Sequence, residues 1–368
     1  MSLYYMDSFG SHDTVDSGRI SSTFYKIDRT WIRHWLTDAS KFYICPNLKY
    51  GSYFEGHYAL VSPPDFSHIT SANLTSQFAS MFSGCTSLRD CPDLSNITFV
   101  GRNGLKNMFN GCSSLTYANL PKNISTAYAH GLENMFANCT SLTRTSHMKI
   151  GLVGGCGCSR MFMKCTSLTD ALIEIDDHNT NRSTDYRTDA WQPSIKQLNY
   201  KYDDSTGFVV EQGGDRSNWS DGQYNFRFRE MFLNCISLIN FPYPIKTSGM
   251  DIYGMFANTP VEELHFVLRV RLYSDIATCS PFYHSGIKRC YIEEEGTIQY
   301  VTSPETNRAE FFHDCPYLDY LYAPNITRHG ILIVGGTYKE DATMVITNNE
   351  NITNYNIPST WTIEYALN

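Results

Sequence analysis

The stretch from Met81 to Leu88, MFSGCTSL, decides the fold, because it returns as MFNGCSSL from Met108, MFANCTSL from Met135, MFMKCTSL from Met161 and MFLNCISL from Met231. Looser copies start at Met255 (MFANTPVEEL), Pro281 (PFYHSGIKRC) and Phe311 (FFHDCPYL). Successive starts are 27, 27, 26, 70, 24, 26 and 30 residues apart. Self-similarity at this period is the mark of a solenoid, in which each unit buries its apolar side against its neighbours.

Inside the copy from Met108, Leu115, Ala118 and Leu120 point to one side as strand residues do, and Pro121 ends the ladder because it has no N–H to donate. The equivalent sets are Leu168, Ala171 and Ile173; Leu238, Phe241 and Tyr243; and Leu318, Leu321 and Ala323. Two further sets, Val261, Leu264 and Phe266, and Ile287, Cys290 and Ile292, come one residue early, as if a turn residue were deleted and the strand kept. All these sets are expected to stack in one parallel sheet. The return segment reads as a short turn or helix that places Leu132, Met135 and Phe136 inward. Thr145 and His147 fall on strand positions, which predicts a poorly packed or exposed rung there.

The pattern Cys-x-x-Leu-x-x-apolar-x-apolar-Pro, followed by a turn into Met-Phe or Ala-Phe, resembles the BspA-like leucine-rich-repeat family over roughly residues 58–330. The resemblance implies a right-handed stack with short parallel strands on one face and short helical or irregular turns on the other. It also implies adhesion and protein recognition instead of catalysis. The expected fold is a β-rich α/β repeat solenoid with β-rich caps and one inserted hairpin. Residues 1–57 form an N-terminal cap or anchoring region, 58–175 the first block of repeats, 176–226 an insertion, 227–330 the second block and 331–368 a C-terminal cap.

Six of the twelve cysteines (Cys85, Cys112, Cys139, Cys165, Cys235 and Cys315) hold one repeat position, where a small hydrophobe suits a tight corner. Stacked at about the 5 Å strand spacing, they are expected to be buried and reduced, which suits folding in a reducing compartment. The N-terminus has no basic segment followed by an apolar core, so no signal peptide is expected. No apolar run is long enough for a membrane span. A formal net charge of −8 without a basic cluster argues against a nucleic-acid face.

Outside the repeats, Ser2–Met6 and Phe42–Ile44 read as short strands, with Trp31 and Trp35 as core bulk. Near the C-terminus, Thr343–Thr347 and Trp361–Tyr365 read as strands. The insertion opens with a polar stretch and continues as a hairpin around an Asp-Ser-Thr-Gly turn. It concentrates Tyr186, Trp191, Tyr200, Tyr202, Trp219 and Tyr224, which are the candidate partner contacts. The other reading is that these aromatics make a private core for the insertion.

Catalytic chemistry finds little support. Asp176-Asp177-His178 offers acid/base or metal-binding groups but reads as a solvated loop. Cys156-x-Cys158 with Cys165 and His147 suggests zinc, but Cys165 is explained by the repeat and the remaining spacing fits no strong zinc pattern. The glycines of Gly151–Gly157 lack the lysine and the strand–loop–helix setting of a phosphate cradle, and flexibility or tight packing explains them. No catalytic residue, cofactor or metal is expected.

The opening YYMDSFGSH, Tyr4 to His12, resembles the first residues of tailed-phage structural proteins. With no export signal and reduced cysteines, it implies a virion structural protein that folds in the host cytoplasm. Such a protein would use its repeat surface for attachment, as a tail fibre or tip component or a capsid decoration. Expected partners are other virion proteins or a host surface protein or glycan, with a homo-oligomer also possible. The alternative is a bacterial BspA-like adhesin or interaction protein.

Overall fold

The structure, a computed structural model, describes residues 36–177, 199–212, 227–247, 252–268, 281–294, 312–324, 334–346 and 357–366. Trp31, Trp35 and the strand expected at Ser2–Met6 lie outside these residues. In chain order the strands of the first block are β1 (Ser71–Ala72), β2 (Phe99–Val100), β3 (Tyr117–Ala118), β4 (Asn123–Ala127), β5 (Arg144–Thr145), β6 (Met148–Val153) and β7 (Ile173–Asp176). The insertion holds β8 (Asn199–Asp203) and β9 (Phe208–Gln212). Then follow β10 (Ile245–Thr247), β11 (Glu263–Leu268), β12 (Arg289–Glu294), β13 (Phe312–Cys315), β14 (Tyr320–Tyr322), β15 (Val334–Tyr338), β16 (Thr343–Ile346) and β17 (Thr362–Tyr365). Eleven of them form one sheet in the order β1-β2-β4-β6-β7-β10-β11-β12-β14-β16-β17. Every pairing in it is parallel, as a solenoid requires. β16 and β17 carry the sheet into the segment expected to be a cap.

The return segment is not a helix. The residue before each corner cysteine or its substitute is left-handed: Gly84 (φ 73°), Gly111 (φ 76°), Asn138 (φ 61°), Lys164 (φ 60°), Asn234 (φ 62°), Asn258 (φ 54°), His284 (φ 56°) and Asp314 (φ 52°). A second left-handed residue stands four positions earlier in several rungs, as at Ser80, Asn107, Asn134, Arg160 and Glu230. Except for Asn258 and for Asp314, which lies in β13, each is at the third position of a turn closed by an i→i+3 bond, such as Cys85 N to Phe82 O (3.0 Å) and Cys112 N to Phe109 O (3.0 Å). This is type II turn geometry, which favours Gly or Asn there. Alternate N–H groups donate to the next rung, as from Phe82 to Met108 O (2.9 Å) and from Gly84 to Asn110 O (2.7 Å). Backbone donors committed between rungs cannot serve an i→i−4 ladder, so of the two expected forms, turn or short helix, the rungs take tandem turns.

Corner cysteines lock adjacent rungs together. Each buried thiol donates to the carbonyl of the repeat Phe one rung back: Cys85 to Phe54 (3.1 Å), Cys112 to Phe82 (3.2 Å), Cys139 to Phe109 (3.1 Å), Cys165 to Phe136 (3.1 Å), Cys235 to Phe162 (3.0 Å) and Cys315 to Phe282 (3.5 Å). The described cysteines are all free. Burial pushes the Cys85 thiol up to about 12 and raises those of Cys112, Cys139 and Cys165 as well. These thiols act as small hydrophobes with one weak donor.

The same Phe residues form a stack through the interior: Phe54, Phe82, Phe109, Phe136, Phe162, Phe232, Phe256, Phe282 and Phe312. Successive ring centroids lie 5.1–6.4 Å apart, with interplanar angles of 1–20°. That is offset stacking within the favourable range. The stack starts at Phe54, so the rungs begin before residue 58. Upstream, Asp38 bridges Ser62 and Tyr43 bridges Asp65 as isolated pairs, in place of the strand expected at Phe42–Ile44.

Leu115, Ala118, Leu120, Leu168, Ala171, Ile173, Val261, Leu264, Phe266, Ile287, Cys290, Ile292, Leu318, Leu321 and Ala323 are all buried. The expectation that these sets share one sheet fails for the early rungs. Among the described residues β3 pairs only with β5, in a separate two-stranded sheet. Pro121 interrupts the rung after β3, and the long sheet takes up β4 beyond it. Residues read as the start of the turn are thus the main strand there. Tyr243 is half-exposed, and Ile245 takes the inward place beside Ile175 and Phe266. Thr145 is buried, contrary to expectation, because its hydroxyl accepts the Leu172 N–H at 3.1 Å. His147 is exposed, and Met148 and Ile150 fill the core beside it.

Candidate functional site

The insertion predicted to carry the contacts is described over residues 199–212. β8 and β9 form the expected antiparallel hairpin, with Tyr200 opposite Glu211 and Tyr202 opposite Val209. Asp203 organises the turn: its carboxylate accepts the Ser205 N–H at 3.0 Å and its carbonyl the Gly207 N–H at 2.8 Å. Gly207 supplies φ 69°. Tyr186, Trp191, Trp219 and Tyr224 lie outside the described residues.

The hairpin lies along the row of left-handed residues. Lys164 sits over the Phe208 ring, 5.5 Å from its centroid. The Asn234 side chain pairs with both polar groups of Val209, donating to its carbonyl and accepting its N–H at 2.8 Å each. Asn258 donates to Gly207 O at 3.0 Å. Tyr202 stacks on His284 with centroids 3.8 Å apart. Burial lowers the His284 pKa, against the pull of Asp314 and Asp204. Val209, Leu233 and Ala257 make a small apolar cluster beneath the hairpin. Tyr202 therefore makes contacts within the chain.

The root of the insertion is held by buried charge. Arg227 Nη1 donates to Asp177 Oδ2 at 2.7 Å, tying the residues that bracket the excursion. Asp177 Oδ1 also accepts the Val153 N–H at 3.2 Å. Asp177 is thus not in a solvated loop, and Asp176 faces Lys149 at 3.3 Å; His178 lies outside the described residues. Nearby, buried Glu230 accepts hydrogen bonds from Arg160 and Arg229. Around Cys156 and Cys158 the glycines are close-packed: a Cβ on Gly157 would stand 2.6 Å from Val153 Cγ1 and 2.9 Å from Gly154 O. Among the described residues no group of three or more His, Cys, Asp or Glu could hold a metal ion.

The outer face of the long sheet carries a second feature. Because Leu264 and Phe266 point inward, His265 points out; the same alternation turns out Tyr291, Tyr320 and Tyr322. Register aligns His265 with Tyr291 and Tyr291 with Tyr322. The His265 and Tyr291 rings stack at 4.3 Å, and Tyr291 lies 5.8 Å from Tyr320 and 6.0 Å from Tyr322. The tyrosines are half-exposed and His265 is exposed. Glu263 borders the patch, accepting from Arg289 Nε at 2.6 Å and lying 3.1 Å from His265 Nε2. The His265 bond, then the Arg289 bond, lower its pKa. Burial raises that of Tyr320. Sequence reading missed this patch because it followed the inward residues; the outward alternates were the available signal.

No protein-family model and no curated protein matches this chain. Among solved structures, the chain is similar to a leucine-rich repeat protein from Bacteroides ovatus ATCC 8483. The two share 11% identity over 81% of this chain and 88% of that one, with a TM-score of 0.23. The solenoid assignment here rests on the chain's own rungs. Among the described residues no helix is long and apolar enough to cross a membrane.

Proposed function

We propose that this chain is a non-enzymatic recognition protein, a structural component of a bacteriophage particle that binds its target through the outer sheet face of the second repeat block. The carrying observation is the line of His265, Tyr291 and Tyr322, with Tyr320 beside it, on strands held rigid by a continuous core. Aromatic residues that present an apolar body and a polar tip are favoured anchors of interfaces. A preformed sheet orders few groups on binding, so little of the contact energy is lost to ordering. The particle assignment is supported by the resemblance at Tyr4–His12 and by stacked free thiols, which suit folding in a reducing compartment.

Two measurements test this reading. Mass spectrometry of purified particles should find the chain in stoichiometric amount; recovery only from a bacterial envelope fraction would favour the adhesin alternative. Particles carrying Tyr291→Ala with Tyr322→Ala should assemble with normal content of the protein but adsorb to cells at least tenfold more slowly. Unchanged adsorption would remove the sheet face from the function.

A further inference from the structure

We infer that the target of the aromatic patch is a neutral glycan chain; this deepens the reading above and rests on it for the biological setting. Three features of the patch carry the choice. The rings follow one another across rungs, with His265 opposite Tyr291 and Tyr291 opposite Tyr322. A surface that repeats at the strand spacing suits an extended polymer of ring-shaped units. The C–H groups on one face of a sugar ring are slightly positive, and they lie favourably on the negative face of an aromatic ring. The tyrosines are half-exposed on an open sheet, so they are not anchors in a closed, water-free pocket such as dominates protein–protein hot spots.

Charge supplies the third feature. The bordering acid and base already pair with each other, Arg289 Nε on Glu263 Oε2 at 2.6 Å. Beyond that pair, exposed Glu293 shares the outward face with Tyr291 and exposed Glu364 aligns through Val345 with Tyr322, so among the described residues the patch has a negative balance that turns away acidic glycans. What it does offer is oriented hydrogen-bonding groups at the rim of the rings: the Glu263 carboxylate, held by Arg289 and His265, and the tyrosine hydroxyls. Sugar hydroxyls both donate and accept, and can bond to such groups without neutralising anything. A neutral, hydroxyl-rich polymer with apolar ring faces matches both halves of this surface.

The test uses the full-length protein on an array bearing neutral oligosaccharides beside sialylated and uronic-acid glycans. The wild type should be retained on a subset of the neutral glycans, with retention insensitive to salt. Tyr291→Ala should weaken that binding at least tenfold, Tyr291→Phe should keep most of it, and Tyr117→Ala, on the separate early sheet, should leave it unchanged. Circular dichroism and thermal melting must show each variant folded. Retention on acidic glycans alone, no retention on any neutral glycan, or equal binding by Tyr291→Ala overturns the inference. Adsorption to cells separates it from the broader reading. If patch-dependent adsorption survives periodate oxidation of cell-surface sugars but is lost on protease treatment, the sheet face binds a protein, and only the glycan assignment fails. If the protein binds neutral glycans through Tyr291 but is absent from particles, the glycan assignment stands and the virion role fails.

Discussion

The first and second repeat blocks build the same interior by different routes. In the rung from Met108, nine residues separate the corner Leu115 from Ile124, its inward residue in the long sheet. The separation is eight from Leu142 to Ile150, and seven from Leu168 to Ile175 and from Leu238 to Ile245. It is five from Val261 to Phe266 and from Ile287 to Ile292. A long arc must bend, and Pro121 marks where it does, leaving the short β3–β5 sheet on one side and the long sheet on the other. A five-residue arc has no room for a bend, so β11 and β12 run unbroken over six residues each. The lesson is that inward residues tolerate a change in arc length, while the outer surface does not. The early rungs show hydroxyls on that surface, such as Thr98 and Ser125 donating to the carbonyls of Thr70 and Thr98. The late rungs, with continuous strands, show aligned aromatic rings.

The largest expected difference between the blocks is their response to alkali. Every rung from Met81 to Met161 has a corner thiol, whereas Thr259 and Ser285 hold that place in two later rungs. Burial raises the folded thiol pKa above its unfolded value. The stabilisation is therefore complete below the unfolded thiol range and is lost as pH climbs toward the folded value. Each thiol should remove about 1.4 kcal/mol per pH unit above ~8.5. The four corner thiols should then cost the first block about 6 kcal/mol by pH ~9.5, against about 3 kcal/mol for Cys235 and Cys315 in the second, and the raised thiols outside the corners, Cys91, Cys156 and Cys158 against Cys290, widen the gap. Urea unfolding at both pH values, read with hydrogen exchange along the chain, should show the first block opening first; uniform opening would erase this distinction.

Phe136→Ala should come next, at about 3–5 kcal/mol, since its ring is fully buried between two others. Phe282→Ala should cost as much, because the stack is shared by both blocks. A loss below about 1 kcal/mol at either site, measured by urea midpoint, would mean the stack contributes unequally along the solenoid.

Asn234→Ala should act chiefly on the hairpin, with about 1 kcal/mol more from holding alanine at φ 62° in the turn of its own rung. It strips Val209 of partners for its N–H and its carbonyl, a loss of about 2–3 kcal/mol. Faster amide exchange in β8 and β9, with the Phe stack still protected, is the expected result. Global unfolding would instead make the hairpin part of the solenoid's stability.

The smallest effects concern the left-handed row. Gly84→Ala meets only ordinary contacts, the nearest at 3.6 Å, but must hold φ 73°; it should cost about 1 kcal/mol. Lys164→Gly should relieve similar strain and gain up to about 1 kcal/mol, less whatever its place over Phe208 contributes. Thermal melts of both variants check the opposite signs.

Much of the interior was legible because repetition multiplies the evidence. Leu132, Met135 and Phe136 are buried as expected, and the register Leu264 to Cys290 and Phe266 to Ile292 follows the shifted sets. The early sheet was misread because Ala118 and Leu120 point inward whether or not their strand continues past Pro121. The sequence leaves the return segment open between a turn and a helix because Met-Phe spacing fits one helical turn; the Gly and Asn before the cysteines are the signal for the left-handed turns the structure has. Asp177 was misread because its partner, Arg227, is 50 positions away.

By itself, then, the sequence determined the period, the buried face of each rung and the corner that a thiol could fill. These are local consequences of side-chain size and alternation. Only the tertiary structure decided which outward residues meet, where the long sheet runs, and that the hairpin lies on Lys164, Asn234, Asn258 and His284. Those outcomes depend on how many residues each rung spends between fixed interior points. They depend also on contacts between segments far apart in the chain, which no single repeat contains.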